Sequence, residues 1–245
     1  MSKPPLKIED IRVEIDRVDN TLLELIAERM ELAAAVRRAK SGVRVWRPSR
    51  EESHVRDLAA ATQDTPPGLV SRIWAELMSA SLALQGLMTL HVALEGDALE
   101  VWTLVRDRFG AAIPIISYPT ASSALAAAHA DPEGVAVVPA PGGMNNWWMA
   151  LGEKGAMPDM YILAGLPRTG DDGWPKAVAV ATADIQPSGK DVTLLMCVKD
   201  VKIPKAITRA QTDDFKLVTV EGFLNSAPKG TKIIGVLPHP IGRKL

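Results

Sequence analysis

The chain has 245 residues, 47% hydrophobic and 23% charged, with a formal net charge of -1. That balance provides no global field to draw the protein to nucleic acid or an anionic membrane, so any anion it takes is bound locally. A single cysteine, Cys197, excludes an internal disulfide framework and a multi-cysteine metal site, and fits a reducing compartment.

The opening stretch MSKPPLKIEDIRVEID lacks the apolar run of a signal peptide. Charge interrupts the hydrophobic stretches before any could span a bilayer, so a cytoplasmic location is expected. From Ile8 to Lys40 the apolar positions Ile11, Ile15, Val18, Leu22, Leu25, Ile26, Leu32 and Val36 recur three or four apart, with no glycine or proline between them. This is the stripe of a long amphipathic helix. At about 1.5 Å per residue it runs about 45 Å, too long to bury its stripe inside a small monomeric domain. It calls for a partner helix of similar length.

Gly42 is expected to end this helix, and VRVWRP to form an extended connector. Ser49 is placed to cap a second helix, REESHVRDLAAAT, with Glu51 and Glu52 in the first turn, where the macrodipole favours acids. QDTPPG then marks a turn. A third helix is predicted from Leu69 to about Leu90, with Ile73, Leu77, Ala80, Leu84 and Leu87 on one face. Residues 1–90 therefore read as an all-helical domain.

Residues 91–245 read as a second, α/β domain, which makes the fold class multidomain, α followed by α/β. HVALEG, IPIISY, GVAVVPA, MYILAGL, KAVAVA and TLLMCV are short apolar runs bounded by glycine, proline or charge, the mark of strands. Helical patterns at ALEVWTLVRDRF and SSALAAAHA separate the first of them, which implies a sheet covered by helices. The stretch from Val201 to Pro240 is expected to add one helix and two strands.

Six basic residues, Arg37, Arg38, Lys40, Arg44, Arg47 and Arg50, fall within 14 positions before the first acid at Glu51. Such a run either faces water or awaits an anion. Arg12, Arg29 and Lys40 are 17 and 11 residues apart along the first helix, too far to form one pocket on a single chain. Two such helices running antiparallel bring Arg12 of one beside Arg29 and Lys40 of the other, at each end of a dimer. Two guanidiniums and an ammonium around one cavity suit a small dicarboxylate. On charge alone, Lys40, Arg44 and Arg47 also read as a solvated helix end. Arg29 occupies a position where the stripe wants leucine, so a buried salt bridge, a ligand contact and a snorkelling stem all remain open.

The segment IRVEIDRVDNTLLELIAERMELAAAVRRAK, followed by RPSREE and later by MSASLALQ, resembles the all-helical class of chorismate mutase over residues 8–88. The resemblance implies an intertwined homodimer with shared active sites, chorismate as substrate and prephenate as product. It further implies that Arg12 comes from the other protomer to bind a carboxylate, and that Arg29 grips the second carboxylate. Lys40 matches the lysine that bonds the ether oxygen and a carboxylate. Arg50 supports the site, Glu51 accepts the substrate hydroxyl, Gln85 donates to the ether oxygen from the far side, and Ser81 faces the same pocket. The implied pericyclic rearrangement needs no nucleophile, metal or cofactor. One departure stands out: Arg47 precedes Pro48 where the family commonly has aspartate.

In the second half, GVAVVPAPGGMNNWW and VRDRFG faintly resemble prephenate dehydratase, which would make the chain a bifunctional mutase and dehydratase. The characteristic Thr-Arg-Phe segment is missing, and the chain is about a lobe too short for a two-lobed cleft. A non-catalytic protein that binds a metabolite or regulates a partner is the other alternative. An aromatic amino acid as effector is left open. Trp147 and Trp148 are expected to pack at a domain interface, and Cys197 in an apolar strand. His54, His91, His129 and His239 are too scattered for a metal constellation.

Overall fold

A computed structural model describes residues 7–39, 46–86, 88–143, 145–171 and 173–242 of the chain. Lys40, the expected helix stop Gly42 and Arg44 lie outside the described residues. The chain forms two compact units, Met1–Val43 and Arg44–Leu245.

The first unit holds one helix, α1 (Ile8–Ala39), uninterrupted as its periodicity requires and with Glu9 and Asp10 in its first turn. Its apolar stripe is not covered: Ile15, Leu22 and Leu25 are 53%, 50% and 56% exposed.

In the second unit, α2 (Pro48–Ala61) starts one residue before the expected cap. Pro48 takes the first helical position, where its fixed φ is pre-organised and its missing N–H costs no bond. Arg47 becomes the N-cap, and its side chain makes no capping hydrogen bond because it has no acceptor. Arg47→Asp should therefore stabilise the unit by about 0.5–2 kcal/mol, the usual worth of an N-cap acceptor, as a higher denaturant midpoint at unchanged slope.

The third helix, α3 (Pro67–Gln85), ends at Gly86, shorter than its sequence pattern suggests. Its buried side is also different. Ile73 and Leu84 remain exposed, while Ser71, Ala75 and Ser79 are buried. The reason is close approach: these small residues, four apart, admit the chain just after α4 (Ala98–Phe109). A Cβ on Gly110 would sit 2.6 Å from Ser79 Cβ. The Ala112 N–H donates to Ser79 Oγ at 2.8 Å, and the Ala111 N–H to Glu76 at 3.0 Å.

The remainder is one nine-stranded sheet. β1 (Thr89–Val92), β2 (Ile115–Ser117) and β3 (Gly134–Pro139) are parallel, joined by α4 and α5 (Ala121–Ala130). The chain continues through β4 (Tyr161–Leu166), β5 (Ala177–Ala181), β6 (Asp191–Val198), β7 (Ile207–Gln211), β8 (Phe215–Glu221) and β9 (Thr231–Pro238). The strand order is β2-β1-β3-β5-β4-β9-β6-β8-β7. Beyond β3 the pairings are antiparallel except for β4 with β9. Where one helix and two strands were expected after Val201, the described residues form three strands and no helix. Ile207–Gln211 pairs with β8 through a hairpin in which Thr212 Oγ1 accepts from the Phe215 N–H.

Side chains alternate between two cores, as strand pleating requires. Ala136, Val138, Val178 and Val180 pack with Leu125 of α5. Val135, Val137, Ala177 and Ala179 pack with Val105 and Phe109 of α4 on the other face. Trp147 and Trp148 open a short 3-10 helix, Trp147–Leu151, and are buried in the first of these cores. They are core residues of the sheet rather than domain-interface residues. Cys197 is buried in β6, where burial pushes its thiol up against a smaller opposing effect of Lys216.

Candidate active site

α2 carries Arg50, Glu51 and Glu52, and α3 carries Ser81 and Gln85. Arg12 lies on α1 and is exposed; Arg29, also on α1, is half-buried, and burial lowers its guanidinium from the ordinary value. Arg50 is exposed in the first turn of α2. Ser81 is buried and donates its hydroxyl to the Leu77 carbonyl at 2.7 Å. Gln85 is half-buried at the last residue of α3.

Glu51 has a more crowded setting than the sequence suggests. Its Oε1 accepts from Arg108 Nη1 at 2.5 Å and from Arg168 Nη2, and its Oε2 from the Trp46 indole at 3.2 Å. Glu52 completes the cluster. It accepts from Arg168 Nε at 3.1 Å and forms an ion pair with Arg108 Nη2 at 2.6 Å, without hydrogen-bond alignment. Both arginines come from the sheet half, Arg108 from α4 and Arg168 from just after β4. Both are almost wholly buried. Two carboxylates and two guanidiniums thus neutralise one another largely out of contact with water, the condition under which buried charge is tolerable. Trp46, itself buried, packs its ring against Phe109 at 5.8 Å between centroids.

Burial alone would raise the Glu51 carboxyl, but Arg108 and Arg168 outweigh it and hold the group below the ordinary carboxylate range. A depressed folded value means a contribution to stability that is full above the unfolded-state value and is lost as pH falls through the folded one. Denaturant titrations should therefore show wild type losing stability below about pH 4.3, the ordinary glutamate value. Glu51→Gln should be less stable at neutral pH and flatter in acid.

The sequence motifs single out Glu51 but give no sign that Arg108, Arg168, Glu52 and Trp46 are its neighbours. One signal was available. Arg108 follows Val101, Leu104 and Val105 at helical spacing, so it occupies the apolar stripe of α4 just as Arg29 occupies that of α1. Arg168 stands alone after a strand and carries no such pattern.

Residues 11–86 match the family model of chorismate mutase type II. The match takes in α1 from Ile11, α2 and α3, ending at Gly86, and it lies within the 8–88 stretch that the sequence motifs mark out. The chorismate mutase segment therefore crosses the division between the two compact units at residues 43 and 44. The matched stretch ends at residue 86, whereas by packing α2 and α3 belong with the sheet. Neither the curated proteins nor the solved structures yield a match. No helix among the described residues is long and apolar enough to cross a membrane.

Proposed function

We propose that the protein is a chorismate mutase, an isomerase of aromatic amino acid biosynthesis that rearranges chorismate to prephenate. The observation that carries this reading is the chorismate mutase type II match over residues 11–86. Arg12, Arg29, Lys40, Arg50, Glu51, Ser81 and Gln85 hold the roles given above within or beside that match. Catalysis then consists of holding the flexible substrate in reactive geometry while Lys40 and Gln85 meet the charge that develops on its ether oxygen.

The working unit in this reading is a homodimer in the cytoplasm, with Arg12 supplied across the dimer. The uncovered stripe of α1 supports it, together with Ile73 and Leu84 exposed on α3. Covering half-exposed leucines and isoleucines contributes about 1 kcal/mol each, enough over eleven large exposed side chains on α1 to favour association strongly. Glu51 keeps capacity for a substrate hydroxyl. A carboxylate has about four acceptor sites, and among the described residues Oε2 has only the indole as donor. Arg108 and Arg168 would act on the reaction through Glu51, as positioning residues.

Arg47, where the family commonly has aspartate, favours one competing reading, a non-catalytic protein that binds a pathway metabolite. The test is loss of chorismate absorbance with purified protein, with prephenate and phenylpyruvate both quantified. Turnover to prephenate alone supports the mutase. No turnover overturns it in favour of the binding protein, and phenylpyruvate would assign a dehydratase step to the sheet half.

A further inference from the structure

Behind the acid cluster, on the sheet half, lies a cavity of about 220 Å³. It is smaller than the roughly 300–1,000 Å³ of drug-sized ligand sites, so it suits a small molecule. Three cations line it, Arg168, Arg209 and Lys176, against two acids, Glu52 and Asp171. Glu52 is already held by Arg108 and Arg168, and Asp171 is exposed at the rim. His239, also in the lining, has its Nε2 hydrogen-bonded with Glu221 at 2.8 Å.

The cationic wall is built and incompletely used. Arg168 is 4% exposed and its Nη1 is buried with no acceptor among the described residues. Arg209 donates its Nε to Thr219 Oγ1 at 3.0 Å, which fixes the guanidinium plane and leaves both Nη groups without a hydrogen-bond partner among the described residues. Its guanidinium stands 4.5 Å from the centre of the Trp174 ring. Trp174 is in turn fixed, because its indole donates to the Pro141 carbonyl at 2.8 Å. Pro167, Pro175, Pro238 and Leu237 make the remaining wall apolar. Gly165 belongs to that wall for a steric reason, since a Cβ there would come within 3.2 Å of Pro175.

We infer that this cavity binds a small organic anion, a carboxylate carrying a planar or apolar body. The carboxylate lies against Arg209, with Lys176 at the mouth, and the body lies against Trp174 and the prolines. A fork of Nη groups matches a carboxylate in bidentate fashion, and Trp174 together with the prolines offers apolar surface to the body. The residues involved all lie outside the chorismate mutase segment apart from Glu52, and the binding stands whether or not the protein turns over chorismate.

The experiment is calorimetric titration of the full-length protein with phenylacetate, its neutral counterpart phenylacetamide, and inorganic phosphate. Phenylacetate should bind saturably and quench tryptophan fluorescence, with the quenching lost in Trp174→Phe. Phenylacetamide and the Arg209→Gln protein should each show about tenfold or greater weakening, the scale of one charge-assisted hydrogen bond. Lys176→Gln, an exposed change that leaves the fold alone, should weaken binding about threefold, and it decides the matter if Arg209→Gln fails to fold. Arg12→Gln should leave the affinity unchanged, since α1 carries none of this cavity. Absence of phenylacetate binding, equal binding of phenylacetamide, binding of phosphate alone, or loss of binding in Arg12→Gln would each overturn the inference.

Discussion

Arg108→Met lowers the melting temperature by about 6–20 °C. The guanidinium of Arg108 is wholly buried and contacts both Glu51 and Glu52. Removing it leaves two carboxylates with Arg168 as their one remaining cationic partner among the described residues, and breaking a buried pair from one side costs about 3–5 kcal/mol. Each kcal/mol moves the midpoint of a chain of this length by about 2–4 °C. The double variant Arg108→Met/Glu52→Met should recover part of the loss, because one charge then faces one charge again. A ladder in which the double variant is worse than the single would show that packing of the Arg108 stem, rather than orphaned charge, dominates. Near-UV circular dichroism, which reports Trp46 against Phe109, is the suitable probe.

The same cluster explains what could be read from the sequence and what could not. α1, α4 and α5 were legible because each carries its own periodic signal; Asp97 and Thr120 cap the latter two as local chemistry prescribes. The strands up to β6 were legible because short apolar runs with turn residues between them have few other solutions. β7 was not, since an edge strand with Ile207 and Gln211 exposed has neither a buried run nor a clean alternation. The face of α3 was misjudged for a tertiary reason. Hydrophobicity pointed to Ile73 and Leu84, but the partner element came close, and closeness selects Ser71, Ala75 and Ser79. Glu51 was identifiable through a family motif, yet its arginine partners are 57 and 117 residues away along the chain. No local pattern encodes such a pairing; it is fixed by the packing of α2 and α4 around β4.

The joint between the matched helices and the sheet is built from α2 and α3. α2 is tied to the sheet half at its start through Glu51 and Glu52, and further along through Arg56, whose Nη2 donates to the His239 carbonyl at 2.6 Å. Ile241 packs with Val55, Ala59 and Val70, which fastens the C-terminal stretch to α2 and α3. Two of the three helices in the family segment thus have their positions set by a domain that the family segment does not include. The sheet half thus holds Glu51 and Glu52 in place through Arg108 and Arg168, and under the proposed function it is a scaffold for the acid end of the site.

If the proposed chorismate mutase reading holds, Lys40→Ala should abolish most turnover of chorismate, with kcat/KM falling about 10²–10³-fold, while the proposed dimer persists in sedimentation. The magnitude is that of removing one donor from a preorganised electrostatic site. In the rearrangement, the C–O bond breaks as the new C–C bond forms, and negative charge gathers on the ether oxygen more in the transition state than in chorismate. An ammonium placed there therefore binds the transition state better than the substrate, and its removal should lower kcat as well as kcat/KM. A rise in KM with kcat unchanged would instead mark Lys40 as a uniform carboxylate contact, shifting the burden of catalysis to Gln85. Full activity in the variant would remove Lys40 from the site altogether. Persistence of the dimer is the necessary control, because α1 supplies both the uncovered apolar stripe and the residues leading to Lys40, and a chain that fell apart would lose turnover for the wrong reason.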